Sequence, residues 1–327
     1  MLKPIINPDL YHGKMKNKNF FEGWYFKLVS KDMKHSIAVI PGIFMDSSNE
    51  RSHSFIQFLN GDNLDYSYIR YDCNLFYSNP NNLSITIKNN NFSLNGININ
   101  LNEQGLSISG KIKFKNLFKW PDTLLNPGSM GFYNYLRFMQ CYSQVCAMNM
   151  DLVGALTING KALDFTGGKG YIEKNWGKAF PFSWNWVQCN TFNNIEASLS
   201  CSIGYIPFLG SNFRGFLIGL LVDKEFYKFT TINRSKLIIK QHLSDITLNV
   251  CNNKYLLEIR TVTNKNMYMM LNGPRDNKMI PLVQETLSGT VFVKLTDRQE
   301  NIIFKDECYC AGIEYGGIQR LVIDVLK

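Results

Sequence analysis

Apolar and polar residues alternate with a period of two along most of the chain. Residues 84–88 (SITIK), 97–101 (ININL), 106–114, 237–240, 246–250, 255–260 and 290–295 each read as a short strand, and clusters of Asn, Gly, Asp and Pro separate them. Strands at such spacing predict an all-β protein whose antiparallel sheets form closed barrels or sandwiches, since closure removes exposed edges. One interruption stands out at 128–139 (GSMGFYNYLRFM), where apolar residues at mixed spacing follow the turn signal NPG and predict a short helix or a plug. A hairpin over 151–163, turning at NGK, resumes the strand pattern, and a second barrel is expected to begin there. The expected domains are 1–155 and 156–327.

Two stretches carry chemistry as well as pattern. In a strand over 20–29 (FFEGWYFKLV), Phe20, Glu22, Trp24, Phe26 and Leu28 share a face, which sets one carboxylate in an apolar row. If buried, Glu22 is either paired with a base such as Lys174 or an arginine, or its pKa is raised and it serves as a proton donor facing a cavity. An edge position in solvent is the third reading. In 171–177 (YIEKNWG), Glu173 shares its face with Tyr171 and Asn175 while Lys174 shares the other with Trp176, so the two charges point apart. Further on, Phe182, Trp184, Trp186, Gln188 and Asn190 line one side of a strand. Indoles beside amides suit a surface that holds something apolar and orients it with a few hydrogen bonds. Amides meeting neighbouring backbone are the plainer reading.

Composition narrows the classes. At 327 residues with 45% hydrophobic and 13% aromatic content the chain can bury a sizeable core in one large or two medium domains. A net charge of +9 would favour nucleic acid or an anionic membrane if the basic residues clustered. The runs Lys14, Lys16, Lys18 and Lys111, Lys113, Lys115 instead alternate as the wet face of a strand does, and no nucleic-acid-binding motif accompanies them. Nucleic acid is not an expected partner. The opening MLKPIINPDLYHGK lacks the apolar region of a secretory signal, and the longest greasy run, 216–222, is too short for a membrane-spanning helix, so a cytoplasmic location is expected. Eight cysteines without a Cys-x-x-Cys pair point to reduced thiols, and His12, His35, His53 and His242 make no metal spacing. No metal or other cofactor is expected.

In order along the chain, YHGK leading into FFEGWYFKL, then GYIEKNWGKAFPFSWNWVQCNTF, then ECYCAGIEYGG, resemble the tocopherol cyclase-like family. That family shows an FEGWYF opening, an EKNWG segment running into FP and W-x-W-V-Q-C-N, and a glycine-ended closing strand. EGWY and EKNWG are more distantly similar to the EWWY and Asp-His-x-Trp elements of carotenoid hydratases and related two-domain lipocalin-like proteins. The resemblance implies two lipocalin-like antiparallel β-barrels packed together. It also implies a reaction in which a phenolic oxygen adds to the nearest trisubstituted double bond of a prenyl tail, or, in the hydratases, water adds to an isolated alkene. Both begin with protonation of an alkene, and an oxygen nucleophile captures the resulting cation. No redox cofactor is implied.

A cation over an aromatic face is worth about 0.5 to 2 kcal/mol, far less than the roughly 8 to 23 kcal/mol that enzymes remove from a barrier. A positioned acid gives around 10² to 10⁴-fold, and orientation on the order of 7 to 11 kcal/mol. A neutral carboxyl and a held substrate must therefore carry most of the rate. The resemblance makes Glu173 and Glu22 the candidate acids, with Trp24, Trp176, Trp184 and Trp186 as walls, Gln188 or Asn190 gripping a ring hydroxyl, and Tyr25 and Tyr171 as relays. Glu285 and Glu314 are expected to be solvated or ion-paired. Where the hydratase-like pattern has Asp-His this chain has Glu173 and Lys174, and lysine does not shuttle protons near neutrality unless desolvated. The implied partner is a hydrophobic small molecule, met at a membrane surface to which the positive charge would aid docking. A carrier that binds such a molecule without reaction is the alternative, and EGWY and EKNWG could equally serve to lock two barrels together.

Overall fold

The computed structural model describes residues 2–318 apart from 17, 137, 209–210 and 243–244. Two compact units divide the chain, Met1–Phe180 with Asn272–Pro281 and Pro181–Leu271 with Leu282–Lys327.

A four-residue helix, α1 (Lys3–Ile6), opens the first unit. Its strands are β1 (Phe20–Val29), β2 (Ser36–Met45), β3 (His53–Asn60), β4 (Asp65–Tyr71), β5 (Phe76–Ser78), β6 (Ser84–Ile87), β7 (Asn90–Ser93), β8 (Gly96–Glu103), β9 (Leu106–Phe118), β10 (Cys141–Ile158), β11 (Lys161–Asp164) and β12 (Lys169–Gly177). They form one sheet in the order β4-β3-β2-β1-β12-β10-β9-β8-β7-β6-β5, with β11 paired to β10. The described ladders are antiparallel throughout and follow the alternation read from sequence. End strands β4 and β5 share no ladder among the described residues, so hydrogen-bonded closure of the barrel is not seen. The sheet nevertheless curls over a single core, because Trp24 and Phe26 of β1, Ile69 of β4, Ile85 of β6, Ile112 of β9 and Leu152 of β10 belong to one apolar cluster. A sheet with one greasy face can bury it this way without a second layer.

The boundary expected near 155 falls inside β10, where Ala155 pairs with Asp164 on one side and Lys111 on the other. The hairpin at NGK is a branch of the first sheet rather than the start of a second one, and the division comes at 180/181. The plug expected over 128–139 contains a 3₁₀ helix, Gly131–Tyr135. It is pinned to β10 through Ser129, whose N–H donates to Gln144 Oε1 (2.8 Å) and whose hydroxyl accepts the Val145 N–H (3.1 Å).

Ten strands follow: β13 (Ser183–Cys189), β14 (Ala197–Phe208), β15 (Ser211–Val222), β16 (Glu225–Thr230), β17 (Lys236–His242), β18 (Asp245–Cys251), β19 (Tyr255–Val262), β20 (Met269–Arg275), β21 (Lys278–Asp297) and β22 (Ile302–Gly317). Their sheet runs β16-β15-β14-β13-β22-β21-β19-β18-β17, with β20 beside β21, and curls over its own cluster of Val187, Leu199, Ile218, Leu248, Val293 and Ile313. Cys189 and Cys308 are joined in a disulfide between β13 and β22, with Cα atoms 6.3 Å apart. This corrects the expectation that all eight cysteines are reduced; the two lie 119 residues apart in sequence, and only the fold brings them together. The remaining six are not in disulfides.

Candidate functional site

Strand register sorts the candidate residues. Glu22 lies opposite Trp176 and Trp24 opposite Lys174 on β1 and β12, so all four share the face that turns to the core. Glu22 and Lys174 are fully buried and form an ion pair. The Lys174 ammonium also donates to the Leu10 carbonyl (2.7 Å) and lies 3.2 Å from His12 Nδ1, while the His12 N–H donates to Glu22 Oε2 (2.8 Å). Burial pushes the Glu22 carboxyl up, but the Lys174 ammonium beside it and the hydrogen bonds the carboxylate accepts outweigh that and hold the group below its usual range. Burial and the same ammonium push His12 down. A neutral His12 with its proton on Nε2, donated to the Pro4 carbonyl (3.1 Å), leaves Nδ1 to accept from Lys174.

Of the readings open for Glu22 from the sequence, this cluster matches pairing with Lys174. Glu22 is the carboxylate of a buried pair and not a neutral acid in an apolar row. Nor is Trp176 an open wall, since His12 stacks on one ring face (3.9 Å, 10°) and Tyr142 is stacked with it as well (5.3 Å, 7°). Trp24 is fully buried, with Lys174 5.2 Å from its ring and Phe76 stacked 6.1 Å away. Together these contacts fasten the segment around residues 4–12 to β1 and β12. Sequence alternation gave the faces of Glu22 and Lys174 but offered no sign of His12.

The opposite face of the same strands holds the other acid. Tyr25 lies opposite Glu173 and Lys27 opposite Tyr171, and all four are buried. The Tyr171 hydroxyl donates to Glu173 Oε2 (2.6 Å), the Ser143 hydroxyl to Oε1 (3.2 Å) and the Asn175 amide to Oε1 (3.4 Å). Such donors stabilise the carboxylate that remains when a carboxyl gives up its proton, and the phenol is placed to pass a proton on. Tyr25, Ile40, Gln57 and Tyr68 continue this face in one cross-strand row. Beside them His53 donates from Nδ1 to the Arg51 carbonyl (2.6 Å) and receives the Tyr68 hydroxyl at Nε2. Burial lowers the His53 pKa to about 4, so it is neutral near pH 7. Neither His53 nor Tyr68 was singled out from sequence; for His53 the reason is that β3 is buried on both faces and shows no alternation.

Trp184, Trp186 and Gln188 belong to the second unit and share the face of β13 opposite Gly316, Glu314 and Gly312 of β22. The Trp184 indole N–H donates to Glu314 Oε1, and its ring lies so close over Gly316 that a Cβ there would stand 2.0 Å from Cζ2. Glu285, opposite Glu314, is fully buried, so of the two expected states, solvated or ion-paired, the solvated one does not hold for it. Phe182 precedes the strand and is exposed, whereas Asn190 lies beyond its end and is buried. The expected residues thus occupy three places: the ion-pair cluster, the Glu173 face and the β13 face. No group of three or more His, Cys, Asp or Glu able to hold a metal occurs among the described residues, and no described helix is long and apolar enough to cross a membrane.

A family model described as tocopherol cyclase-like matches residues 91–317. The chain is 24% identical over 211 residues to a probable chloroplastic tocopherol cyclase of Oryza sativa subsp. japonica, a match that covers 62% of this chain and 45% of that one. The chain thus spans about half the length of that relative. Among solved structures, kievitone hydratase from Nectria haematococca is similar over 94% of this chain and 93% of its own, with a TM-score of 0.50 and 12% identity. CghA bound to Sch210972 is similar over 91% and 88%, with a TM-score of 0.55 and 8% identity. At such identities the likeness to the solved structures is one of fold.

Proposed function

Because the chain belongs to the tocopherol cyclase-like family, we propose that it is an intramolecular cyclase that closes a ring on an isoprenoid-tailed phenol or hydroquinone. Glu173 transfers its proton to the trisubstituted double bond nearest the aromatic ring. The phenolic oxygen captures the tertiary cation, and its own proton returns to Glu173, directly or through Tyr171. A C–H and a C–O bond form while the alkene π bond and the O–H bond break. Substrate and product are isomers, so the step requires no oxidant or reductant. Water in place of the phenol would give hydration by the same acid.

The observation that supports this reading is the setting of Glu173: a buried carboxyl with Tyr171 at 2.6 Å and Ser143 at 3.2 Å, on the face away from the Glu22–Lys174 pair. Glu22, Trp24 and Trp176 serve in this account to hold the fold. The compartment we propose is the cytoplasmic surface of a membrane, where isoprenoid substrates reside and a charge of +9 favours approach to anionic lipid.

The test is product formation. Purified protein incubated with a prenylated hydroquinone should yield a chromanol of unchanged mass, and Glu173→Gln should bind the substrate without converting it. Undiminished turnover by Glu173→Gln would remove Glu173 as the acid. Binding without any product in the wild-type protein would favour a carrier.

A further inference from the structure

The connection between β9 and β10 puts leucines into water on a fixed backbone. Thr123 and Asn126 exchange both backbone hydrogen bonds (3.1 and 3.0 Å), which makes a tight turn with Leu124 and Leu125 at its tip. These two side chains are 68% and 80% exposed. Phe132 and Phe138, 54% and 57% exposed, lie in the segment that follows. The exposed Leu2 and Ile6 flank or belong to α1, which packs against the 3₁₀ helix of that segment.

The loop is internally braced. Asp122 accepts the Gly128 N–H (2.7 Å), Thr123 Oγ1 accepts the Asn126 N–H (3.2 Å), Asn134 donates to the Pro127 carbonyl (2.6 Å), and the Tyr135 hydroxyl donates to the Leu124 carbonyl. With its backbone so tied the turn cannot fold its leucines inward. Large apolar side chains held in water on a braced loop mark a candidate site of interaction.

We propose that the Leu124–Leu125 turn is a docking element for an anionic lipid bilayer, with the two leucines entering the interface. Two observations favour lipid over a protein partner. The apolar groups stand on a convex two-residue tip, which suits insertion into a fluid interface more than the facing of a rigid groove. The sequence around it is basic: residues 2–16 and 115–139 contain Lys3, Lys14, Lys16, Lys115, Lys119 and Arg137 against Asp9 and Asp122, a net +4 out of the chain's +9. Apolar insertion together with a basic surround is the two-part signal that interfacial binding needs. This inference does not rest on the chemistry proposed at Glu173, and its test requires no turnover.

The experiment is flotation of the full chain with vesicles of phosphatidylcholine, with and without phosphatidylglycerol, comparing wild type with Leu124→Ser/Leu125→Ser. Both positions are exposed, so far-UV circular dichroism and the thermal transition should not change. Wild type should float with the anionic vesicles and less with the neutral ones, and the double variant should lose roughly 100-fold in partitioning. Phe132→Ser should weaken binding independently. The proposal is overturned if wild type stays with the protein-only fraction, or if the double variant floats as wild type does. It is also overturned if light scattering finds a vesicle-free dimer that the double variant dissociates, which would make the tip a self-association surface.

Discussion

Replacing Lys174 by Met would leave the Glu22 carboxylate fully buried with only the His12 segment to serve it. Removing one partner of a buried ion pair costs about 3 to 5 kcal/mol, because the remaining charge keeps its desolvation penalty. The upper end is expected here, since Lys174 also donates to the Leu10 carbonyl (2.7 Å). Urea unfolding followed by tryptophan fluorescence at pH 7 would measure the loss. The pH dependence supplies a second, signed readout. In wild type the Glu22 carboxyl is held below its unfolded value, so its contribution is full above about pH 4.3 and is lost as pH falls through the folded pKa. In Lys174→Met, burial dominates and raises the folded pKa, so the variant should gain stability relative to wild type as pH is lowered from neutrality. Glu22→Leu combined with Lys174→Met should recover most of the loss, as apolar replacements of buried pairs do. A cost for Lys174→Met below about 1 kcal/mol, the range of an exposed pair, would refute the reasoning.

Other outcomes follow from the same geometry. His53 should stay neutral to about pH 4 in an NMR titration. Since its folded pKa lies below the unfolded value near 6.5, it should withdraw stability as pH falls from there toward the folded value; protonation with a midpoint above 6 would contradict its burial. Thiol titration of the denatured, unreduced chain should find six cysteines, with the other two appearing only after reductant. Closing a loop of 119 residues, the Cys189–Cys308 disulfide should contribute roughly 5 kcal/mol in the loop-entropy limit. Eight reactive thiols without reductant would mean that the bond does not form.

Period-two alternation made much of this architecture legible. The strands at 97–101 and 106–114 appear within β8 and β9, and the turn at NGK joins β10 to β11. Alternation also set Glu173 and Lys174 on opposite faces, which is the distinction on which the site turns. Unit membership was not legible at 151–163, because a hairpin branching from one sheet has the same local pattern as a hairpin opening another. His12 reaches Lys174 across 162 residues and Cys189 reaches Cys308 across 119. Contacts at such separations leave no local periodicity. His53 was hidden for a different reason: a strand buried on both faces shows no contrast to read. Glu22 illustrates the limit of pattern reading, since a carboxylate in an apolar row signals either a paired charge or a raised pKa, and only the position of Lys174 decides between them.

The central claim is that a carboxyl proton from Glu173 goes onto the alkene. Turnover of a prenylated hydroquinone in heavy water tests it most directly. The account predicts a chromanol carrying one carbon-bound deuteron, at the alkene carbon not attacked by oxygen, and loss of this product with Glu173→Gln while substrate binding persists. A chromanol formed without deuterium, or formed at the wild-type rate by Glu173→Gln, would contradict it.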